Sequence, residues 1–279
     1  MVRHLQSKSF TKKKRARFWW TLALVVIVIV TLISTVSLLS HFNALTIDDV
    51  KIFGAESDIT DQLHSASERA LSGSYLGIFS RSSTLMYPSS DIISAVKSAS
   101  VRVDNVKVSR SGLHGLVVSV SEKVPSAVVC ATLPDFQNNS FIFDDQSSCY
   151  FADDSGMLFE RALAIPQSIY DLYYVPDMYD STASSTDLSG SYATSTPEFV
   201  ALQSFYDNAK SLGIAPDAIL IKDGGEYEMY ASSMVIYFND LRPIADESSN
   251  LSAFWKTVKG PFDYIDLRYG SNVFYKAIK

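Results

Sequence analysis

The chain has 279 residues, 47% of them apolar, and a formal net charge of −6. That length suits two folded units, and the apolar share fits a globular protein and excludes a multi-span membrane protein. Charge is uneven: residues 1–17 hold seven of the 24 basic residues and no acid, leaving 17 basic against 30 acidic beyond them. So acidic a body argues against nucleic acid as the main partner.

The first predicted element is a membrane span. Phe18 to Ser40 is 23 residues without a charge, and as a helix it reaches ~34 Å, enough for a hydrocarbon core of ~30 Å. Trp19 and Trp20 stand at its start, where amphipathic rings favour the headgroup zone. Lys12, Lys13, Lys14, Arg15 and Arg17 precede it, and Asp48, Asp49, Glu56 and Asp58 follow. The positive-inside rule then keeps residues 1–17 in the cytoplasm and puts everything after the span outside. A cleaved signal peptide is the competing reading, but its apolar region is shorter, and Ser40-His41-Phe42-Asn43-Ala44 offers no good cleavage site. Thr21, Thr31, Ser34, Thr35 and Ser37 suit either helix pairing in lipid or back-bonding to their own helix.

Beyond the span, residues 45–124 read as one unit. A strand is expected at Leu45 to Gly54, and a helix at about Asp58 to Leu71 with Gly73 as its C-cap. A loop containing Gly77 and Pro88 leads to a second helix, from Ser89 or Ser90 to about Ala99. Two strands follow, Val101 to Arg110 and one through Leu116, Val118 and Val120, with a turn beginning at Ser111-Gly112. Strand, helix, helix, strand, strand makes a small α+β unit with helices over one face of a three-stranded sheet.

Residues 125–279 read as mostly strands. Cys130 and Cys149 lie in the strand-like stretches Ala127 to Ala131 and Cys149 to Ala152, separated by Pro134, Asn138, Asn139, Asp144 and Asp145. An oxidising exterior permits a disulfide that staples this hairpin; two buried free thiols are the alternative. Met157 to Phe159 follows the turn Asp153-Asp154-Ser155-Gly156. Residues 180–196, rich in Ser and Thr, read as an exposed loop. Thr196-Pro197-Glu198 starts a helix that runs to about Leu212. Strands are expected at Ala218 to Ile221, Glu226 to Tyr230 and Met234 to Phe238. A helix is expected at about Glu247 to Lys259, and closing strands at Phe262 to Arg268 and Asn272 to Ile278.

No catalytic constellation is legible. The chain lacks GxSxG, a glycine-rich phosphate loop and HExxH. His4, His41, His64 and His114 are scattered, without metal-ligand spacing. Asp153 and Asp154 form a carboxylate pair only on paper, since adjacent strand residues face opposite ways and a turn explains them better. No cofactor, metal or small-molecule substrate is expected, and binding becomes the default function. A last strand bearing Val273, Phe274, Tyr275 and Ile278 suits either strand addition by a partner or a plain capped edge, with Lys276 and Lys279 deterring pairing.

Several motifs, in order, carry a resemblance. Val50-Lys51-Ile52-Phe53-Gly54 resembles the opening strand of the POTRA domain in the bacterial division proteins FtsQ and DivIB. Val101, Val106 and Arg110 match that family's "V…V.R" strand. Leu116, Val118, Val120, Glu122, Pro125 and Ala127 match its "L.I.v.E..P.A" pattern. Asp153 to Phe159 is similar to "D..G.vf", and Ile265-Asp266-Leu267-Arg268-Tyr269 to "vDlRy". Residues 164–196 look like an insertion, and Ser111-Gly112 replaces a common proline. The resemblance implies a POTRA domain (45–124) followed by a β domain (125–279). It implies a non-catalytic divisome scaffold at the division septum, linking early ring components to septal wall synthesis. Its partners would be FtsB- or DivIC-like and FtsL-like bitopic proteins, bound through Tyr269, Ser271, Val273, Phe274 and Tyr275. A POTRA-bearing transport or surface-assembly factor and a signal-anchored extracytoplasmic enzyme are the competing functions.

Overall fold

A computed structural model describes residues 8–42, 45–131, 135–137, 140–142, 149–163, 169–178, 187–232 and 234–278. The chain divides into two compact units, residues 1–122 and 123–279.

The first unit opens with α1 (Lys8–Ser40), a single 33-residue helix. Its segment Phe18–Ser40 is long and apolar enough to cross a membrane. The side chains of Lys12, Lys13, Lys14, Arg15 and Arg17 lie outside the described residues. Thr21, Thr31 and Thr35 each donate their hydroxyl to a carbonyl three or four residues back, the local alternative to helix pairing.

The remainder of this unit is β1 (Asp49–Phe53), α2 (Ser57–Leu71), β2 (Ser74–Tyr75), β3 (Phe79–Ser80), α3 (Ser89–Ala99), β4 (Val103–Ser111) and β5 (Gly115–Glu122). The main sheet has the order β1-β5-β4, with β1 parallel and β4 antiparallel to β5. Period-two alternation explains its buried face. Leu116, Val118 and Val120 are buried, whereas Ser119 and Ser121 are exposed. Ile59 and Leu63 of α2 and Ile92 and Val96 of α3 join them in one core. Gly54 ends β1 at φ +87°, where any side chain would strike the Val120 carbonyl.

Sequence reasoning mislaid several boundaries here. The first strand begins at Asp49 rather than Leu45, because the Ile47 N–H is taken by the Ser82 carbonyl. The expected 101–110 strand begins at Val103, after a turn closed by its N–H on the Ser100 carbonyl. Helix α2 is capped by Ser72 in extended conformation, and Gly73 lies one residue further on. The presumed loop after it contains the β2–β3 hairpin.

The second unit contains β6 (Ala127–Cys130), β7 (Asp135–Gln137), β8 (Ser140–Ile142), β9 (Cys149–Ala152), β10 (Leu158–Arg161), β11 (Asp171–Tyr174), α4 (Thr196–Ser211), β12 (Ala218–Lys222), β13 (Glu226–Ala231), β14 (Met234–Asn239), α5 (Ile244–Thr257), β15 (Phe262–Tyr269) and β16 (Asn272–Ala277). Nine strands form one mixed sheet, in the order β10-β9-β6-β11-β12-β13-β14-β15-β16. Three pairs are parallel, β6 with β11, β11 with β12 and β14 with β15; α4 and α5 supply the crossovers of the last two. Phe199, Leu202 and Phe205 of α4 and Leu251 and Phe254 of α5 build the larger core, against Tyr227, Phe238, Ile265 and Leu267. A smaller cluster holds Val128, Cys130, Cys149, Leu172, Tyr174 and Leu220. Within it Cys130 and Cys149 are disulfide-bonded, as directly paired residues of antiparallel β6 and β9. The loop formers expected between them at Pro134, Asn138, Asn139, Asp144 and Asp145 lie outside the described residues, apart from the short β7–β8 hairpin.

The stretch 164–196 contributes a strand to the main sheet. Asp171–Tyr174 is a central strand, parallel to both β6 and β12. Nor is the described end of the Ser/Thr-rich stretch simply exposed: Ala193 is buried, and Tyr192 bridges Met157. Residues 180–186 lie outside the described residues. Helix α4 is preceded by Ser195, not capped by the Thr196 hydroxyl; Thr194 and Ser195 both donate to Glu198. Helix α5 begins at Ile244, directly after Pro243, rather than at Glu247.

Candidate functional site

The expected binding residues sit on the last hairpin. Strands β15 and β16 pair antiparallel, and β14 covers the far side of β15, so β16 is the terminal strand of the sheet. Among the described residues no strand pairs with its outer side. The Ile278 N–H donates inward to the Pro261 carbonyl. Both register shifts of this pair fall on β15, leaving β16 regular. Alternation therefore turns the N–H and C=O groups of Val273, Tyr275 and Ala277 outward.

The five expected residues divide between two faces. Val273 packs against the α4–α5 core, and the Tyr275 ring lies 5.1 Å from Phe254 and 5.7 Å from Phe262. On the opposite face Phe274 meets Tyr269 edge to face at 5.3 Å. Ser271 occupies the turn and is exposed. Phe274, Tyr275 and Tyr269 keep 53%, 46% and 58% of their surface in water, more than a stability role requires of three large rings.

Sequence reasoning missed what surrounds them. Arg268 stacks over Tyr237 at 5.2 Å and Tyr269 at 6.0 Å, and donates to both oxygens of Asp266, at 2.9 and 2.7 Å. The hydrogen bonds from Arg268 to Asp266 hold the guanidinium pKa above its ordinary value despite partial burial. Lys276 donates to Asp263 at 2.6 Å, which raises its pKa. The signal for Arg268 was in the sequence: Asp266 and Arg268 are two apart on a strand, hence on one face.

A second missed group fixes the turn. Gly270 takes φ +74°, and its carbonyl accepts from Arg242 and from Asn250 of α5, both at 2.9 Å. Arg242 also donates to Glu247 at 2.5 Å. Glu247 is fully buried, and burial raises its pKa against the opposing pull of Arg242. These residues are 20 to 28 positions from Gly270, beyond the reach of any local pattern.

The opposite edge of the sheet is covered at Leu158. Leu158 of β10 donates to the Ser191 carbonyl at 2.8 Å and accepts from the Gly190 N–H at 2.7 Å; Ala193 donates to Gly156. The Asp153-Asp154-Ser155-Gly156 segment beside it is a turn, as expected. Asp153 Oδ1 accepts from the backbone of Ser155 and Met157 and from the Ser155 hydroxyl, and Asp153 pairs with Lys123. Among the described residues no group of three or more His, Cys, Asp or Glu is placed to hold a metal ion.

No protein-family model matches the chain, and no curated protein matches it significantly in sequence.

Proposed function

We propose that this protein is a membrane-anchored, non-catalytic scaffold of the FtsQ/DivIB kind. In this reading α1 spans the cytoplasmic membrane once, with the basic residues 1–17 inside and both folded units outside. A strand of a partner adds to β16, main-chain hydrogen bonds giving affinity and alternate side chains giving selectivity. The observation that carries the proposal is the asymmetry of the nine-stranded sheet. One edge is covered at Leu158 by residues 190 and 191, while β16 presents the outward peptide groups of Val273, Tyr275 and Ala277 beside exposed aromatic rings. The partners proposed are FtsB- or DivIC-like and FtsL-like bitopic proteins at the division septum, and the first unit is proposed to be a POTRA domain. The ordered motifs, from Val50–Gly54 to Ile265–Tyr269, support that family assignment.

Photo-crosslinkers placed singly at positions 269–276 of the full chain, in cells, test it. Capture of small bitopic coiled-coil proteins is the expected result. Equal capture from positions on β10, or unchanged capture by a chain truncated before Tyr269, refutes the edge.

A further inference from the structure

The β2–β3 hairpin is the least explained feature of the first unit. Its strands pair Ser74 with Ser80 and Tyr75 with Phe79, and the Ile78 N–H closes the turn on the Tyr75 carbonyl. Both central residues are left-handed, Leu76 at φ +51° and Gly77 at φ +70°. A turn with two such residues favours Asn, Asp or Gly; a leucine there is strained. Leu76 is also 91% exposed, so it gains nothing from the core in return. A strained, exposed, apolar residue points to a role outside folding.

The hairpin lies along the end of the apolar helix. The Ser37 hydroxyl donates to the Ile78 carbonyl at 2.7 Å, and the Ser80 N–H donates to the Ser40 hydroxyl at 3.2 Å. Going from Ser80 back to Ile78 therefore means going from Ser40 to Ser37 along α1, back toward its N-terminus. Ser37 lies inside the apolar segment, ~4.5 Å from its end at ~1.5 Å per residue. Leu76 and Gly77 follow Ile78 toward the tip, so the same direction carries them toward greater depth. No charge occurs from Ser74 to Ser80. At the base, Arg81 stacks on Tyr75 at 5.2 Å, an amphipathic pair suited to the headgroup zone. Around the helix exit, Thr84 donates to the Leu45 and Leu113 carbonyls and so gathers three segments. Phe42, Leu85, Met86 and Leu113 are all exposed there.

We propose that the Leu76-Gly77-Ile78 tip inserts into the outer leaflet of the membrane that α1 crosses, pinning the first unit to the lipid surface. The proposal rests on α1 being a membrane span.

The test uses the full chain in phosphatidylcholine–phosphatidylglycerol vesicles, with single cysteines carrying an environment-sensitive fluorophore. Cys130 and Cys149 are disulfide-bonded, so thiol labelling without reductant is selective. Labels go at Leu76→Cys, at Val30→Cys within the span, and at the exposed Ser121→Cys near the end of β5. The expected result is blue-shifted emission at position 76, quenched by lipids carrying a shallow nitroxide, with water-like emission at 121. Water-like emission at 76 with deep quenching at 30 overturns the hairpin proposal and leaves the anchor intact. Failure of deep quenchers at 30 refutes the anchor and the hairpin together. Leu76→Asn, combined with a label at Ile78→Cys, separates insertion from folding, because asparagine suits the left-handed turn. Shallow quenching at 78 is expected to fall while thermal stability holds or rises; undiminished quenching refutes the role of Leu76.

Discussion

Replacing Arg242 by methionine tests whether the open edge depends on the charge beneath its turn. Arg242 pairs with the fully buried Glu247 and donates to the Gly270 carbonyl. Methionine keeps much of the aliphatic bulk but leaves a buried carboxylate without its cation. Breaking a buried pair costs about 3–5 kcal/mol; with one third of the Arg242 side chain in water, about 3 kcal/mol is expected. The sign of the pH dependence is fixed. Burial raises the Glu247 pKa above its ordinary 4.5, so the folded state holds the proton more tightly than the unfolded chain. Stability from this group therefore rises as pH falls through the window above 4.5. Without Arg242 the pKa climbs further and the window widens, so the deficit of Arg242→Met shrinks between about pH 8 and about pH 5. Urea unfolding of natural and variant chains across that range measures it. The double variant Arg242→Met/Glu247→Gln is expected to recover most of the loss, because no buried charge is stranded. A deficit independent of pH, or strictly additive single changes, would refute the reasoning.

Three further outcomes follow from other sites. Asp153→Asn is expected to lose about 2 kcal/mol in urea unfolding near neutral pH, from its bonds to Ser155, Met157 and Lys123. Burial raises the Asp153 pKa, but Lys123 and the turn's donors outweigh it and lower it overall; the natural chain should lose this stability as pH falls below the ordinary 3.8, while the variant should not. Gly156→Ala is expected to cost about 2–3 kcal/mol in thermal unfolding, since Gly156 sits at φ +82° and a Cβ there would lie 2.7 Å from Phe199 Cγ. Ala277→Pro removes only an outward N–H from an edge strand, so it should leave unfolding nearly unchanged and abolish capture of partners by crosslinkers on β16.

What the sequence made legible follows from period and length. The 23-residue apolar run, α2 and α3, and the strands β5, β12, β13 and β14 carry patterns that neighbours cannot disguise. Cys130 opposite Cys149 was expected because each sits in a short strand on either side of turn formers. Strand β11 was missed because Leu172, Tyr173 and Tyr174 are all buried, so Asp171–Tyr174 shows no alternation, and Pro176 follows closely. At the candidate site the sequence indicated the closing hairpin and its aromatic residues. It did not indicate that Tyr275 faces α5 while Phe274 meets Tyr269, nor that Arg242 and Asn250 hold the Gly270 carbonyl. Those contacts depend on where α5 crosses the sheet, which no local spacing encodes.

The treatment of the two sheet edges bears on function more than any single residue does. An open edge invites uncontrolled pairing, and proteins commonly blunt it with a covering loop or with lysines. Here the β10 edge has the loop, through Gly190, Ser191 and Ala193. The β16 edge has Lys276 instead, paired on the exposed surface with Asp263 of the neighbouring strand. Three large rings stay in water beside it. A sheet that needed only stability would gain from closing both edges alike. Covering one edge at Leu158 while Asn250 of α5 holds the turn of the other is the asymmetry from which the proposed strand addition at β16 is argued.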